Sequence, residues 1–234
     1  MAVRPVFEVA LDNRFFVKTD VEFLFSPGFS IKQKQKSITS LHNAFLADSN
    51  DKKILEISTK SYQELGVKLS SFNLFLKTVK GNKFSVESAF QASKVFKLGG
   101  PYKDLLTVSS KEAKTDPRLK NSGQIIAFLF NGQRFPIEPK TYFYNWLYIN
   151  ALHLHEDLAK QVLAYDAFTD IAFNPEKSLN CQAEAAAIYV SLQKQGLLSI
   201  ALTDKESFLK IVYGQNNEGK HVAIKQITMF GNDS

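Results

Sequence analysis

Cysteine is nearly absent from this chain: Cys181 stands alone among 234 residues. One cysteine excludes an internal disulfide and a cysteine-based metal site, fits a reducing compartment, and reads as a small buried hydrophobe before a nucleophile. No run of apolar residues approaches the roughly 20 needed to cross a bilayer. The opening MAVRPVFEVALDNRFF carries charge where a signal peptide would hold its apolar core, so a cytoplasmic protein with no membrane partner is expected. No glycine-rich phosphate loop is present. His42, His153 and His155 share no metal-ligand spacing with acids, so neither a metal nor a cofactor is expected. Acid is the minority charge, 23 Asp and Glu against 29 Lys and Arg. The resulting +6 favours an anionic partner, although lysine-rich faces also serve solubility.

The chain is 44% hydrophobic, enough to bury one substantial core, and no repeat, linker or boundary divides residues 1–234. Val3–Val9 and Phe15–Phe25, broken by Asp12-Asn13-Arg14, predict a hairpin. Lys32–Ala47 has Ile38, Leu41, Ala44 and Phe45 at helical spacing. Short strands are predicted at Lys53–Ser58, Leu74–Val79 and Gln124–Phe130. Helices are predicted over Val86–Leu98, Tyr102–Ser110, Tyr142–His155, Glu156–Tyr165 and Cys181–Lys194. Phe208–Tyr213 and His221–Met229 flank a turn-rich segment and predict a terminal hairpin. Lys32, Lys34 and Lys36 concentrate positive charge at one helix start, where they can meet the phosphates of a nucleic acid.

The most informative stretch is Ser85–Phe96. Ser85 can cap a helix, and Glu87, Gln91 and Lys94 then fall at i, i+4 and i+7 beside an apolar face of Val86, Ala89, Phe90, Ser93 and Phe96. A carboxylate, an amide and an ammonium can thus face one cleft. Spacing alone favours an ordinary helix, its acid complementing the dipole and its lysine solvated.

Glu87-Ser88-Ala89-Phe90-Gln91-Ala92-Ser93-Lys94 resembles the hallmark helix of the NADAR (YbiA-like) N-glycosidases. Leu69-Ser70-Ser71-Phe72-Asn73-Leu74 resembles that family's Phe-Ser-Asn-Phe segment, and Gly81-Asn82-Lys83-Phe84 its Gly-Lys-x-Trp turn. Tyr165–Pro175 and Ser178–Ala183 occupy the place of its acidic loop and Asn-bearing helix start. The family's Trp-Gly after the aspartate is missing, so the second acid is Asp170 or Asp166, with Asp170 preferred. Trp146 corresponds to the family's stacking tryptophan or is an ordinary core residue; Tyr142, Phe143 and Tyr144 are the alternatives. The resemblance implies an α+β, mainly α, fold with a small β component. It divides the chain into an extension over 1–65, a core over 66–200 and a tail over 201–234. Phe25–Ser30, the start of the Lys32–His42 helix, Leu55–Ser61 and Ala167–Ile171 resemble the NADAR proteins encoded beside DarT-type DNA ADP-ribosyltransferases. Those are antitoxins that strip ADP-ribose from guanine in single-stranded DNA.

On that resemblance, the expected partners are ADP-ribosylated single-stranded DNA, the product ADP-ribose and a DarT-type toxin. Breaking a base from a ribose passes through an oxocarbenium-like transition state, which needs negative charge near the anomeric carbon and a proton for the departing nitrogen. Glu87 and Asp170 can divide these roles, and Lys94 can form a Schiff base with ring-opened ribose or contact a phosphate. Ser70, Ser71 and Asn73 can hold the diphosphate, and Gln91 and Trp146 other parts of the substrate. Asn180 can bind ribose or cap the last helix, and the cap is preferred. Two other readings are a glycosidase of phosphoribosylamino-pyrimidine intermediates of riboflavin synthesis, and a non-catalytic binder of modified DNA or of the toxin.

Overall fold

A computed structural model describes residues 1–214, apart from 48, 50, 78–80, 175–177 and 179. The predicted hairpin forms from β1 (Ala2–Val9) and β2 (Phe16–Phe23), paired antiparallel from Ala2↔Phe23 to Val9↔Phe16. Helix α1 (Ile31–Leu46) begins where Ser30 Oγ accepts from the Gln33 amide, and it buries Ile38, Leu41 and Phe45 on the sheet side. Next come β3 (Ile54–Glu56), the short helix α2 (Glu64–Lys68), and a ribbon of β4 (Phe75–Lys77) and β5 (Lys83–Ser85). Helix α3 (Val86–Ala92) leads into β6 (Lys94–Phe96), followed by a 3-10 turn at Lys103–Leu106 and the helices α4 (Ser110–Thr115) and α5 (Arg118–Asn121). Strands β7 (Ile125–Phe130) and β8 (Gln133–Phe135) complete a second sheet with β6. The remaining elements are α6 (Tyr142–His153), α7 (Glu156–Val162), β9 (Ala167–Thr169), α8 (Gln182–Lys194), α9 (Leu198–Ala201) and α10 (Lys205–Tyr213). The fold is α+β with small sheets, as expected. No helix among the described residues is long and apolar enough to cross a membrane.

Three expectations fail locally. The helix predicted over Val86–Leu98 stops at Ala92, because Lys94–Phe96 pairs with β7 and the Ser93 carbonyl accepts from Leu129 N at 2.7 Å. Inter-strand pairing outweighs a helical pattern there. The Tyr102–Ser110 helix is only a 3-10 turn, since a capping box of Ser109 and Glu112 starts the next helix at Ser110. Phe208–Tyr213 is helical, not a strand: Asp204 caps α10, and Phe208 is fully buried from that helix. Its strand-like composition yields to packing. The other half of that predicted hairpin, His221–Met229, lies outside the described residues.

Strand β9 sits between β1 and β3 in the order β2-β1-β9-β3, antiparallel to the first and parallel to the second. Strands β1, β2 and β3, all within the first 56 residues, therefore share a sheet with β9. The largest core cluster joins α3, α6 and α8 through Phe90, Phe143, Leu147, Tyr148 and the alanines Ala183, Ala185, Ala186 and Ala187, whose small side chains let α6 and α8 approach closely. A second cluster, with Val6, Phe23, Ile38, Leu41 and Ile171, seats α1 on the four-stranded sheet.

Gly66 of α2 packs so tightly that a Cβ there would lie 2.0 Å from the Glu56 carbonyl oxygen and 2.5 Å from Ser61 Oγ. Since backbone cannot swing aside, Gly66→Ala is expected to cost about 1–3 kcal/mol of stability. Thermal unfolding checks this: a melting temperature equal to that of the native chain would show that α2 can shift freely.

Candidate functional site

Helix α3 and the loops around it enclose a cavity of about 800 Å³, a size that suits a small organic ligand. Ser85 Oγ accepts from the Ser88 amide at 3.0 Å, which fixes the first turn of α3 and aims Glu87 inward. The Glu87 amide donates to Ser71 O at 2.9 Å, docking the Ser70–Asn73 turn on the helix. The carboxylate is then held from three sides. Its Oε2 accepts from Ser71 Oγ at 3.2 Å, its Oε1 accepts from Gln91 Nε2 at 2.8 Å, and Lys114 Nζ stands 3.8 Å from Oε1. Gln91 Oε1 in turn accepts from Lys94 Nζ at 2.7 Å. Ser71, Glu87, Gln91 and Lys94 thus form one hydrogen-bonded row along the cavity wall.

Lys94 lies on β6 instead of on the helix, so it meets Gln91 across the turn at Ser93 and not by helical periodicity. Its Nζ sits 4.8 Å from the Phe90 ring centroid. Burial lowers its pKa to about 8, with Lys114 pushing the same way and Glu87 opposing.

Asp170 enters the same cavity from the end of β9. Part of its surface opens into the cavity, yet the surrounding walls strip much of its hydration. That burial, followed by the charge of Glu56, raises its pKa to about 7 against the pull of the Ala172 amide, Lys114 and Gln182. Asp166, the alternative acid, is spent elsewhere. It accepts from the Lys53 amide at 3.1 Å, lies 3.7 Å from Lys194 Nζ, and does not line the cavity.

Ser70 and Ser71 line the cavity, although the Ser70 hydroxyl is committed to Val67 O at 2.9 Å. Asn73 does not: it is exposed, and its amide donates to the same Val67 carbonyl. Asn180 lines the cavity and does not cap α8, whose N-cap position is Cys181 with no side-chain bond. The Asn180 Oδ1 is buried with no partner among the described residues. Trp146 also falls outside the cavity, its indole packed 4.9 Å from Phe135 and 6.3 Å from Phe130. Tyr144 does line the cavity, edge-on to Phe90 at 5.2 Å. Two residues turn a helix by about 200°, so one α6 residue faces α3 and the other faces β8. Lys32, Lys34 and Lys36 lie on α1, away from the cavity lining; Lys34 Nζ is 5.3 Å from the Phe25 ring centroid.

Sequence reasoning missed two residues of the site. Gln182 accepts from the Ser71 amide at 2.7 Å and donates to Ile57 O at 2.6 Å, tying three segments together beside Asp170. Lys114 brings a cation to Glu87 while lying 5.2 Å from the Phe72 ring centroid. A polar residue in the first turn of a predicted helix is the only trace Gln182 leaves in the sequence, and Lys114 leaves none.

No curated protein matches the chain. A family model described as DarT1-associated NADAR antitoxin matches residues 2–222, a span that takes in the hairpin, α1 and β3 as well as every residue lining the cavity. The chain belongs to the family of DarT1-associated NADAR antitoxins.

Proposed function

We propose that the protein hydrolyses the N-glycosidic bond between ADP-ribose and a guanine of single-stranded DNA, and thereby reverses the action of a DarT-type toxin. The observation that carries this reading is the Ser71, Glu87, Gln91, Lys94 row sharing one cavity with Asp170. Asp170, with a pKa near 7, still holds its proton in a large share of molecules at neutrality, and this proton goes to the departing nitrogen as the bond to the anomeric carbon breaks. Glu87 stabilises the positive charge that develops there and takes a proton from the attacking water. Water thus supplies hydroxyl to the sugar and, through the two carboxyl groups, a proton to the base.

The depressed affinity of Lys94 for protons favours a covalent variant of the same reaction. The neutral amine bonds to C1 of the ring-opened ribose and expels the protonated base, and water then hydrolyses the imine to free the lysine and ADP-ribose. Lys114 and Lys140 stand on the wall to meet phosphates, and Ser71, Thr59 and Asn180 to meet ribose hydroxyls. Tyr144 supplies the aromatic face. Tyr144→Ala is expected to raise KM by about tenfold through weaker stacking, and Trp146→Phe to leave KM unchanged; the reverse pattern in steady-state kinetics would return the substrate role to Trp146.

An outlying surface supports nucleic acid as the carrier of the modification. Helix α1 contains three lysines and no acid, and Phe29 and Tyr62 are largely exposed nearby in sequence or in space, Thr39 Oγ1 lying 3.5 Å from Tyr62 OH. Thr59, three residues before Tyr62, lines the cavity. Lysines that track phosphates beside rings that stack on bases suit a single strand. Replacing Lys32, Lys34 and Lys36 with glutamine is expected to reduce the log–log salt slope of single-stranded DNA binding by about 0.7 for each phosphate no longer neutralised. Turnover of an ADP-ribosylated guanosine nucleoside should be unchanged, and an unaltered salt slope would remove α1 from the DNA path.

The decisive experiment incubates the purified protein with single-stranded DNA carrying ADP-ribosylated guanine. Release of free ADP-ribose with restoration of guanine is expected. Tight binding with the modification intact would establish the non-catalytic reading, and turnover of a phosphoribosylamino-pyrimidine alone would establish the riboflavin reading.

A further inference from the structure

Glu56 is a carboxylate that the chemistry above leaves unused, yet it is 2% exposed and forms no ion pair among the described residues. A buried, unpaired acid is costly unless its oxygens are fully engaged. Those of Glu56 grip the chain on either side of Asp170. Its Oε2 accepts from Thr169 Oγ1 at 2.6 Å, and its Oε1 accepts from the Ile171 amide at 2.9 Å. The parallel pairing of β3 with β9 sets Glu56 opposite Thr169 and so makes both contacts possible. Behind them, His42 Nε2 lies 2.8 Å from the same Thr169 hydroxyl. Burial lowers the His42 pKa to about 4, so the imidazole is neutral. With the Thr169 hydroxyl donating to Glu56, the histidine meets it as a donor. The order His42, Thr169, Glu56 then runs from donor to acceptor without a break.

We propose that Glu56 is a positioning residue for Asp170, clamping both of its neighbours and, by its own buried charge, making Asp170 the carboxyl of the pair that carries the proton. This rests on the reading of Asp170 as proton donor to the leaving base. Two carboxyl groups that interact in a desolvated site share protons unequally, and the one with more donors keeps its charge. Burial raises the Glu56 pKa, and three donors, Ser58, Thr169 and the Ile171 amide, oppose that rise. Asp170 has the Ala172 amide and Gln182, and it also feels Lys114 from α4. Tyr144 and Tyr148 of α6 and Cys181 also face Asp170, and burial holds all three neutral. Glu87 of α3 shares the cavity. An amide in place of Glu56 can still accept from the Ile171 amide and, once the Thr169 hydroxyl turns to donate to His42, can donate to Thr169, so it keeps the clamp and removes only the charge.

The test uses the full chain with carboxyl-labelled aspartate, following the Asp170 resonance, assigned by its disappearance in Asp170→Asn, through a pH titration. Glu56→Gln keeps the size of the side chain and removes its charge. The Asp170 midpoint is expected to fall by about one pH unit, and the break near pH 7 in the turnover profile to fall with it. An unchanged midpoint in folded Glu56→Gln overturns the proposal. A lowered midpoint with that break unmoved keeps the clamp and overturns the donor role of Asp170, so the two readings fail separately. Should Glu56→Gln not fold, Thr169→Val decides. It removes one donor from Glu56, shifts the shared proton toward it, and is expected to lower the Asp170 midpoint as well; no change there also overturns the proposal.

Discussion

Glu87→Gln is expected to cut turnover by about 10²–10⁴-fold, the range spanned by a positioned acid or base, while the protein still unfolds cooperatively near the native temperature. The glutamine can still accept from Ser71 Oγ, but its amide nitrogen faces Gln91 Nε2, where Glu87 Oε1 now accepts. Gln91 must then turn over, and the oxygen that holds Lys94 turns away with it. One substitution therefore removes the negative charge at the anomeric carbon and releases the lysine. Glu87→Ala should abolish turnover too, at a stability cost of about 1–3 kcal/mol for each buried group left unpartnered. Measured release of ADP-ribose beside thermal unfolding separates the two effects. Full activity in folded Glu87→Gln would sink the assignment of this cavity as the active site.

The second large effect concerns Lys94. Treatment of the working enzyme with borohydride is expected to leave a reduced adduct of ADP-ribose mass on Lys94, and Lys94→Arg to lose activity, because a guanidinium stays protonated and cannot form an imine. The pH profile carries an independent signature. The covalent route needs Lys94 neutral and Asp170 protonated, groups with pKa values of about 8 and about 7. The reactive fraction then rises roughly tenfold per pH unit below 7, levels between the two values and falls above 8. A Lys94 that only contacts phosphate must keep its charge, so activity would fall through 7 and again through 8 with no such rise. No adduct in active protein, together with a falling profile, would leave only the two-carboxylate route.

Some of this was legible in the chain. The hairpin and helices α1, α6 and α8 follow from alternation, helical spacing and caps, which act within a few residues. Glu87, Gln91 and Lys94 stood out as a polar row, although spacing alone could not separate a site from a solvated face. The boundary between α3 and β6 was not legible, because the pairing of Lys94–Phe96 with β7 involves residues 29 to 34 positions away. The same holds for β9, whose three residues become a strand only between β1 and β3.

By itself, then, the sequence determined where local order begins and which side chains are chemically able to act. Tertiary structure decided which of those chemically able groups meet. It put Asp170 and Tyr144, but not Asp166 or Trp146, on the cavity wall, turned Asn180 from helix cap to cavity wall, brought Gln182 and Lys114 to that wall and set Glu56 against the neighbours of Asp170. The reason is physical: a hydrogen bond, a desolvated carboxyl or a stacked ring depends on what lies within a few ångströms, and those neighbours come from segments up to 127 residues apart.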